Sequence, residues 1–138
     1  MHIKIPVVRE SSASMPVRGS RESAGFDLCA NLENPLTLKP GSRSLISTGL
    51  KLSIPHGFCG LICSRTSLAL VHGITVLNAP GIIDSDYRGD VGVVLANLGE
   101  QPFTIEPGLR VAKIVFMHYM RTLFIPAAGL AETDRDPA

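Results

Sequence analysis

Charge is scarce in this chain. Only 18% of its 138 residues are Asp, Glu, Lys or Arg, the formal net charge is +1, and no run of Lys or Arg occurs. A nucleic-acid groove or a membrane-surface patch needs clustered basic residues, so neither is expected as the main business of the protein. No apolar stretch approaches the ~20 residues of a membrane span. The opening MHIKIPVVRE meets a proline and an arginine too early for a secretory signal, and no export signal is expected. Cysteine is limited to Cys29, Cys59 and Cys63, an odd count that gives no disulfide framework. Cys59 and Cys63 are four apart in a predicted strand, hence roughly 13 Å apart and too distant to share a zinc ion. Buried reduced thiols in a reducing intracellular compartment, cytoplasm or nucleus, are the expectation. Also missing are a Walker loop, a His-Glu-x-x-His helix and a nucleophile elbow. The four histidines, His2, His56, His72 and His118, are scattered.

Apolar residues, by contrast, reach 45%, and the mean hydropathy is positive. One small domain hides that much apolar surface with difficulty, so a partner subunit is expected to cover part of it. The periodicity predicts short strands over residues 3–9, 26–30, 36–38, 43–46, 50–54, 57–64, 74–77, 81–84, 91–97, 103–105, 111–119 and 122–125. Turn signals such as Lys39-Pro40-Gly41 and Asn97-Leu98-Gly99 separate them. Only 66–71 reads as helical. Many strands with one short helix predict an all-β sandwich or barrel-like domain over residues 1–130. The polar residues 131–138 are expected to form a mobile tail.

Chemistry is confined to polar and glycine-bearing islands between the apolar strands. The densest is GITVLNAPGIIDSDYRGD, residues 73–90. Taken alone it reads as a strand, a Pro-Gly break and a second strand ending in a turn with Asp84, Asp86, Tyr87, Arg88 and Gly89. On that reading it is a hairpin whose aspartates bond turn amides. Three further islands precede and follow it: Ala24-Gly25-Phe26-Asp27-Leu28, Ser64-Arg65-Thr66-Ser67-Leu68-Ala69, and Pro107-Gly108-Leu109-Arg110-Val111-Ala112-Lys113.

In content and order these four islands resemble the motifs of the trimeric dUTPase family. They are similar to its Ala-Gly-x-Asp-Leu, Arg-Ser-Ser/Gly-Leu-Ala, Gly-x-Ile-Asp-x-Asp-Tyr-Arg-Gly and Gly-x-Arg-Ile-Ala-Gln segments, and the third is by far the most specific. The resemblance spans about residues 3–125. It implies a jelly-roll-like β fold, a homotrimer with shared active sites, and magnesium-assisted hydrolysis of dUTP to dUMP and pyrophosphate by in-line attack of water on the α-phosphorus. Such a transfer needs mostly positioning and charge neutralisation.

By the same resemblance Asp84 is the general base. An aspartate is a weak base, so its placement matters more than its basicity. Asp27 would hold Mg2+ through coordinated waters, which that ion surrenders reluctantly. Arg65, Thr66 and Ser67 would meet the phosphates; read locally, Thr66 or Ser67 is an N-cap of the short helix. Asn78 and the main chain of Gly81, Ile82 and Ile83 would read the uracil edge, and Tyr87 would sit under the deoxyribose, leaving no room for a 2′-hydroxyl. One subunit would supply residues 73–90, a second the phosphate-binding segment, and a third the tail.

The chain departs from the family pattern in three places. Thr66 replaces a serine, keeping the hydroxyl and adding a methyl. Lys113 stands where glutamine is usual and offers phosphate a point charge in place of an amide. The family's Gly-rich lid, Arg-Gly-x-Gly-Gly-Phe-Gly, is missing from the sequence, either trimmed or natively absent. Thr133-Asp134-Arg135 resembles its approach, with Arg135 as its arginine, and Asp136-Pro137-Ala138 follow. A missing lid implies a slower rate with the binding pocket kept. These departures motivate one alternative, a catalytically weakened nucleotide-sensing or partner-binding protein of the same fold. A dCTP deaminase is disfavoured by the Asp86-Tyr87-Arg88-Gly89 sequence, and a purely structural sandwich by the match of all four islands.

Overall fold

Short runs of Val, Ile and Leu, cut by Gly, Pro and Asn, favour extended backbone over helix. The computed structural model, which describes residues 2–135, is built from such runs. Its strands are β1 Val7–Arg9, β2 Val17–Arg18, β3 Gly25–Cys29, β4 Leu36–Leu38, β5 Arg43–Ser47 and β6 Leu50–Leu52, then β7 Phe58–Cys63, β8 Ile74–Val76, β9 Gly81–Ile83, β10 Gly92–Asn97, β11 Phe103–Ile105 and β12 Arg110–His118. One helical turn follows β7 and is π-helical over Leu68–His72. It stops at Gly73, whose φ of 68° suits a residue without a Cβ. Among the described residues no helix is long and apolar enough to cross a membrane.

The largest sheet has the order β2-β3-β12-β7-β9; a second is β5-β10-β8, and β1-β6 and β11-β4 form two-stranded ribbons. One hydrophobic cluster joins them, with Leu28, Ile62 and Ile114 from the large sheet, Ile46, Val93 and Leu95 from the second, and Leu50 and Ile105 from the ribbons. Two facing layers of antiparallel strands around a single core make a jelly-roll sandwich. The alternation predicted from sequence thus delivers the all-β class.

Asn97 is the most consequential polar group inside. Its side chain is fully buried, yet Nδ2 donates to the carbonyls of Leu38 (2.9 Å) and Gln101 (2.8 Å), and Oδ1 accepts from the Gly99 amide (2.9 Å). Buried polar atoms left without partners are costly, so Asn97→Ala is expected to lower unfolding stability by about 3 kcal/mol. A urea titration checks this; a loss below about 1 kcal/mol would mean that water replaces these bonds.

Several sequence expectations change. The first strand shortens to Val7–Arg9, and Val17–Arg18 adds a strand that was not foreseen. β8 pairs with β10 whereas β9 pairs with β7. Residues 73–90 are therefore a connection between two sheets and not a hairpin. The strand expected over 122–125 is absent: residues 119–135 form no strand and are exposed, with Leu123 at 82%, Phe124 at 91% and Ile125 at 77%. A run of β-formers becomes a strand only with a partner edge, and its own chain offers none. Of the tail expected over 131–138, residues 136–138 lie outside the described residues. The three thiols are free, but only Cys59 is buried, Cys29 and Cys63 being half-buried.

Candidate active site

The centre of the site is a carboxylate that three cations surround. Asp27, on β3, is only 5% exposed. Arg110 Nη1 donates to its Oδ2 at 3.1 Å. Arg65 Nε lies 3.8 Å and Lys113 Nζ 4.0 Å from Oδ1. Strand register explains the meeting: Asp27, Lys113 and Cys63 occupy one rung across β3, β12 and β7, so their side chains share a face.

Arg110 is three residues from Lys113, and regular alternation would send the two to opposite faces. The register of β12 against β3 shifts between Arg110 and Ala112, so Val111 is the extra residue of a β-bulge. Val111 and Ala112 both turn into the core, and the cations on either side of them reach the same carboxylate. Arg65 is steadied from behind. Its Nη1 donates to the Arg110 carbonyl at 3.2 Å, and the neighbouring Ser64 Oγ accepts from the Val76 amide at 2.9 Å, tying the end of β7 to β8. Thr66 and Ser67 are exposed beside it. Ser67, at the N-cap, makes no side-chain capping bond, so the local capping role is not the one it plays.

Asp27 Oδ1 accepts no hydrogen bond among the described residues and is shut off from solvent. An ionised oxygen in that condition calls for a donor. No group of three or more His, Cys, Asp or Glu able to cage a metal occurs among the described residues. One carboxylate cannot cage an ion, so any contact of Asp27 with a divalent ion would run through that ion's bound water.

The second part of the site is residues 77–90. Gly81 is buried under Asn78: a Cβ there would fall 3.3 Å from Asn78 Nδ2 and 3.4 Å from Ile62 Cβ. Ile82 is exposed and Ile83 half-buried. After β9 the Tyr87 amide donates to the Asp84 carbonyl at 3.1 Å, closing the turn through main chain. The Asp84 carboxylate is exposed and makes no hydrogen bond among the described residues, so it is not spent on turn amides. Tyr87 Oη donates to the Asp90 carbonyl at 2.7 Å. Its ring folds back over Gly89, where a Cβ would lie 2.6 Å from Oη. Arg135 is exposed, its amide donating to Thr133 Oγ1 at 3.3 Å.

One chain does not bring the two parts together. Asp84 follows β9 at the level of Cys59 and Met117, four residues along from the rung of Asp27, and three strand spacings across from it. At about 3.4 Å per residue and 4.8 Å per strand, the separation is on the order of 20 Å. A hollow of about 520 Å³ elsewhere, lined by residues including Ile3, Ile5, Phe26, Phe58 and Phe116, contains none of the residues of either part. Its walls are mainly apolar, with His2, Arg18 and His118 among them.

Sequence reasoning missed Arg110 as a site residue although it lies in the fourth island. The bulge that turns it toward Asp27 has no local signature, and strand parity argues against it.

Fold and site together define a jelly-roll β protein with three cations gathered on one carboxylate of a sheet face. The dUTPase family model matches residues 11–138. A deoxyuridine 5′-triphosphate nucleotidohydrolase of Rickettsia akari is 45% identical over 133 residues, covering 96% of this chain and 90% of that protein. One from Chlamydia pneumoniae is 46% identical over 127 residues, covering 91% and 88%. Among solved structures, a dUTPase of phage 80alpha superposes with a TM-score of 0.87 at 22% identity, covering 98% and 95% of the two chains. A dUTPase of the S. aureus phage phi11, described as coordinating a structural Mg(II) ion, gives 0.83 at 20% identity, covering 92% and 98%. The chain belongs to the dUTPase family.

Proposed function

We propose that this protein hydrolyses dUTP to dUMP and pyrophosphate, water attacking the α-phosphorus in line, and so limits uracil in DNA while supplying dUMP. The observation that carries the reading is the cluster on Asp27, where three cations meet one carboxylate. The excess positive charge needs an anion of several charges, and a triphosphate has them.

Arg65, Arg110 and Lys113 bind the phosphates, with the hydroxyls of Thr66 and Ser67 beside them. Asp27 would hold Mg2+ through a bound water, a role supported by an Oδ1 that accepts no hydrogen bond among the described residues; when bound, the ion would neutralise phosphate charge. Asp84 takes the proton from the attacking water, and its exposed carboxylate, free of turn bonds, supports that role. Asn78 and the main chain of Gly81, Ile82 and Ile83 read the uracil edge. Tyr87, pinned over Gly89, forms the wall against the sugar. Arg135 is the tail's contact with the nucleotide.

The ~20 Å between Asp84 and Asp27 within one chain supports a site shared between copies, with a homotrimer as the assembly. Attack requires reacting groups about 3–3.5 Å apart, so the 73–90 segment of one copy serves the cluster of another. The protein is expected to act inside the cell, in a reducing compartment.

The direct test is pyrophosphate release from dUTP with Mg2+, using dCTP, dTTP and UTP as controls. Release selective for dUTP is the expected result. No release from any of them, with dUTP still bound, would overturn hydrolysis in favour of a nucleotide-sensing protein.

A further inference from the structure

Lys113 is the least committed of the three cations. Arg110 donates a hydrogen bond to Asp27 and Arg65 donates one to the Arg110 carbonyl. The Lys113 ammonium makes no hydrogen bond among the described residues and stands 4.0 Å from Asp27 Oδ1, its side chain 43% exposed. Its path is nevertheless built. A Cβ on Gly25 would fall 2.9 Å from Lys113 Cγ and 2.7 Å from the Ile114 carbonyl oxygen, so the missing side chain of Gly25 makes the space in which the lysine stem lies. A Cβ there would also meet Val115 Cγ2 at 2.9 Å, so the glycine makes room for main chain and valine as well as for the lysine stem.

Charge gives the arrangement a consequence. Arg65 and Arg110 against Asp27 leave a net +1 (two cations minus one carboxylate), and Lys113 raises it to +2. A nucleoside triphosphate carries roughly twice as much negative charge bare as it does with magnesium bound. Coulomb attraction scales with the product of the charges, so an added ammonium favours the bare triphosphate more than its magnesium complex. Because the ammonium makes no hydrogen bond among the described residues, it can leave Asp27 for phosphate without breaking one, and Asp27 is then released from one of its cations.

We propose that Lys113 is a built-in counter-charge for the triphosphate, one that lets this chain bind dUTP with weak dependence on magnesium. The inference rests on the reading of the cluster as the triphosphate site. A neutral residue at 113 would leave the divalent ion to bring the missing charge, and binding would then track magnesium closely.

The test is equilibrium binding of the non-hydrolysable analogue dUpNHpp to the full chain, with excess Mg2+ and again with EDTA, for the wild type, Lys113→Gln and Lys113→Arg. The readout is the ratio of the two dissociation constants. In the wild type, removing magnesium is expected to weaken binding less than about tenfold. In Lys113→Gln the magnesium-bound analogue loses roughly tenfold in affinity and the bare one roughly a hundredfold, so the ratio rises roughly tenfold. Lys113→Arg, which keeps the charge, holds the ratio near the wild-type value. A loss of packing would lower both affinities together and leave the ratio unmoved. A Lys113→Gln ratio within about twofold of wild type overturns the counter-charge role while leaving the triphosphate site standing. Failure of the wild type to bind the analogue under either condition overturns the site itself.

Discussion

Asp84→Asn is expected to lower kcat for dUTP hydrolysis by roughly a thousandfold, with the dissociation constant for dUpNHpp changed by no more than about threefold. The substitution keeps shape and removes only the ability to take a proton. Structure makes it a clean one. The turn after β9 is closed by the Tyr87 amide on the Asp84 carbonyl, a main-chain bond that asparagine retains. The carboxylate itself is exposed and bonds to nothing among the described residues, so its replacement leaves no buried group stranded. A kcat within a factor of about three of wild type would remove Asp84 from the proton-transfer step.

A second large effect concerns who supplies what. Asp84→Asn and Arg65→Gln should each be close to inactive alone, one lacking the base and the other a phosphate-binding guanidinium. Unfolded together in equal amounts and refolded as mixed assemblies, they are expected to recover roughly a quarter of wild-type activity. Half of the copies bring an intact 73–90 segment and half bring an intact cluster, and in random assemblies a site has both one time in four. The control is each variant refolded alone. A mixture no more active than the two parents would mean that each chain completes its own site, against the ~20 Å that separates the two parts along and across the large sheet.

The fold was legible where a strand pairs within its own chain. β10 and β7 announce themselves by apolar runs, and β4 and β11 fall at the expected residues. Residues 122–125 carry the same signal and fail, because β propensity describes a half-buried pleated surface and no edge of their own chain covers them. The partners of β8 and β9 were unreadable for a related reason: proximity in sequence suggests a hairpin, whereas packing sends the two strands to different sheets. Of the residues around Asp27, the islands singled out Arg65 and Lys113; Asp84 was singled out too, but its own chain does not bring it to them. Arg110 was not singled out, since only the bulge at Val111 places residues three apart on one carboxylate. The roughly 20 Å between the two halves was beyond any motif, because it is a property of strand order.

The exposed stretch after β12 changes what stability means for this protein. Met120, Leu123, Phe124, Ile125 and Leu130 are each at least 77% exposed in the lone chain. Where another copy covers them, the hydrophobic gain belongs to the assembly and enters through mass action. Resistance to unfolding is then set by how many copies share a volume as well as by the sequence. If the copies assemble and share sites as proposed, dilution alone, with no change in temperature or solvent, would move the balance toward chains that are both less stable and without a complete site.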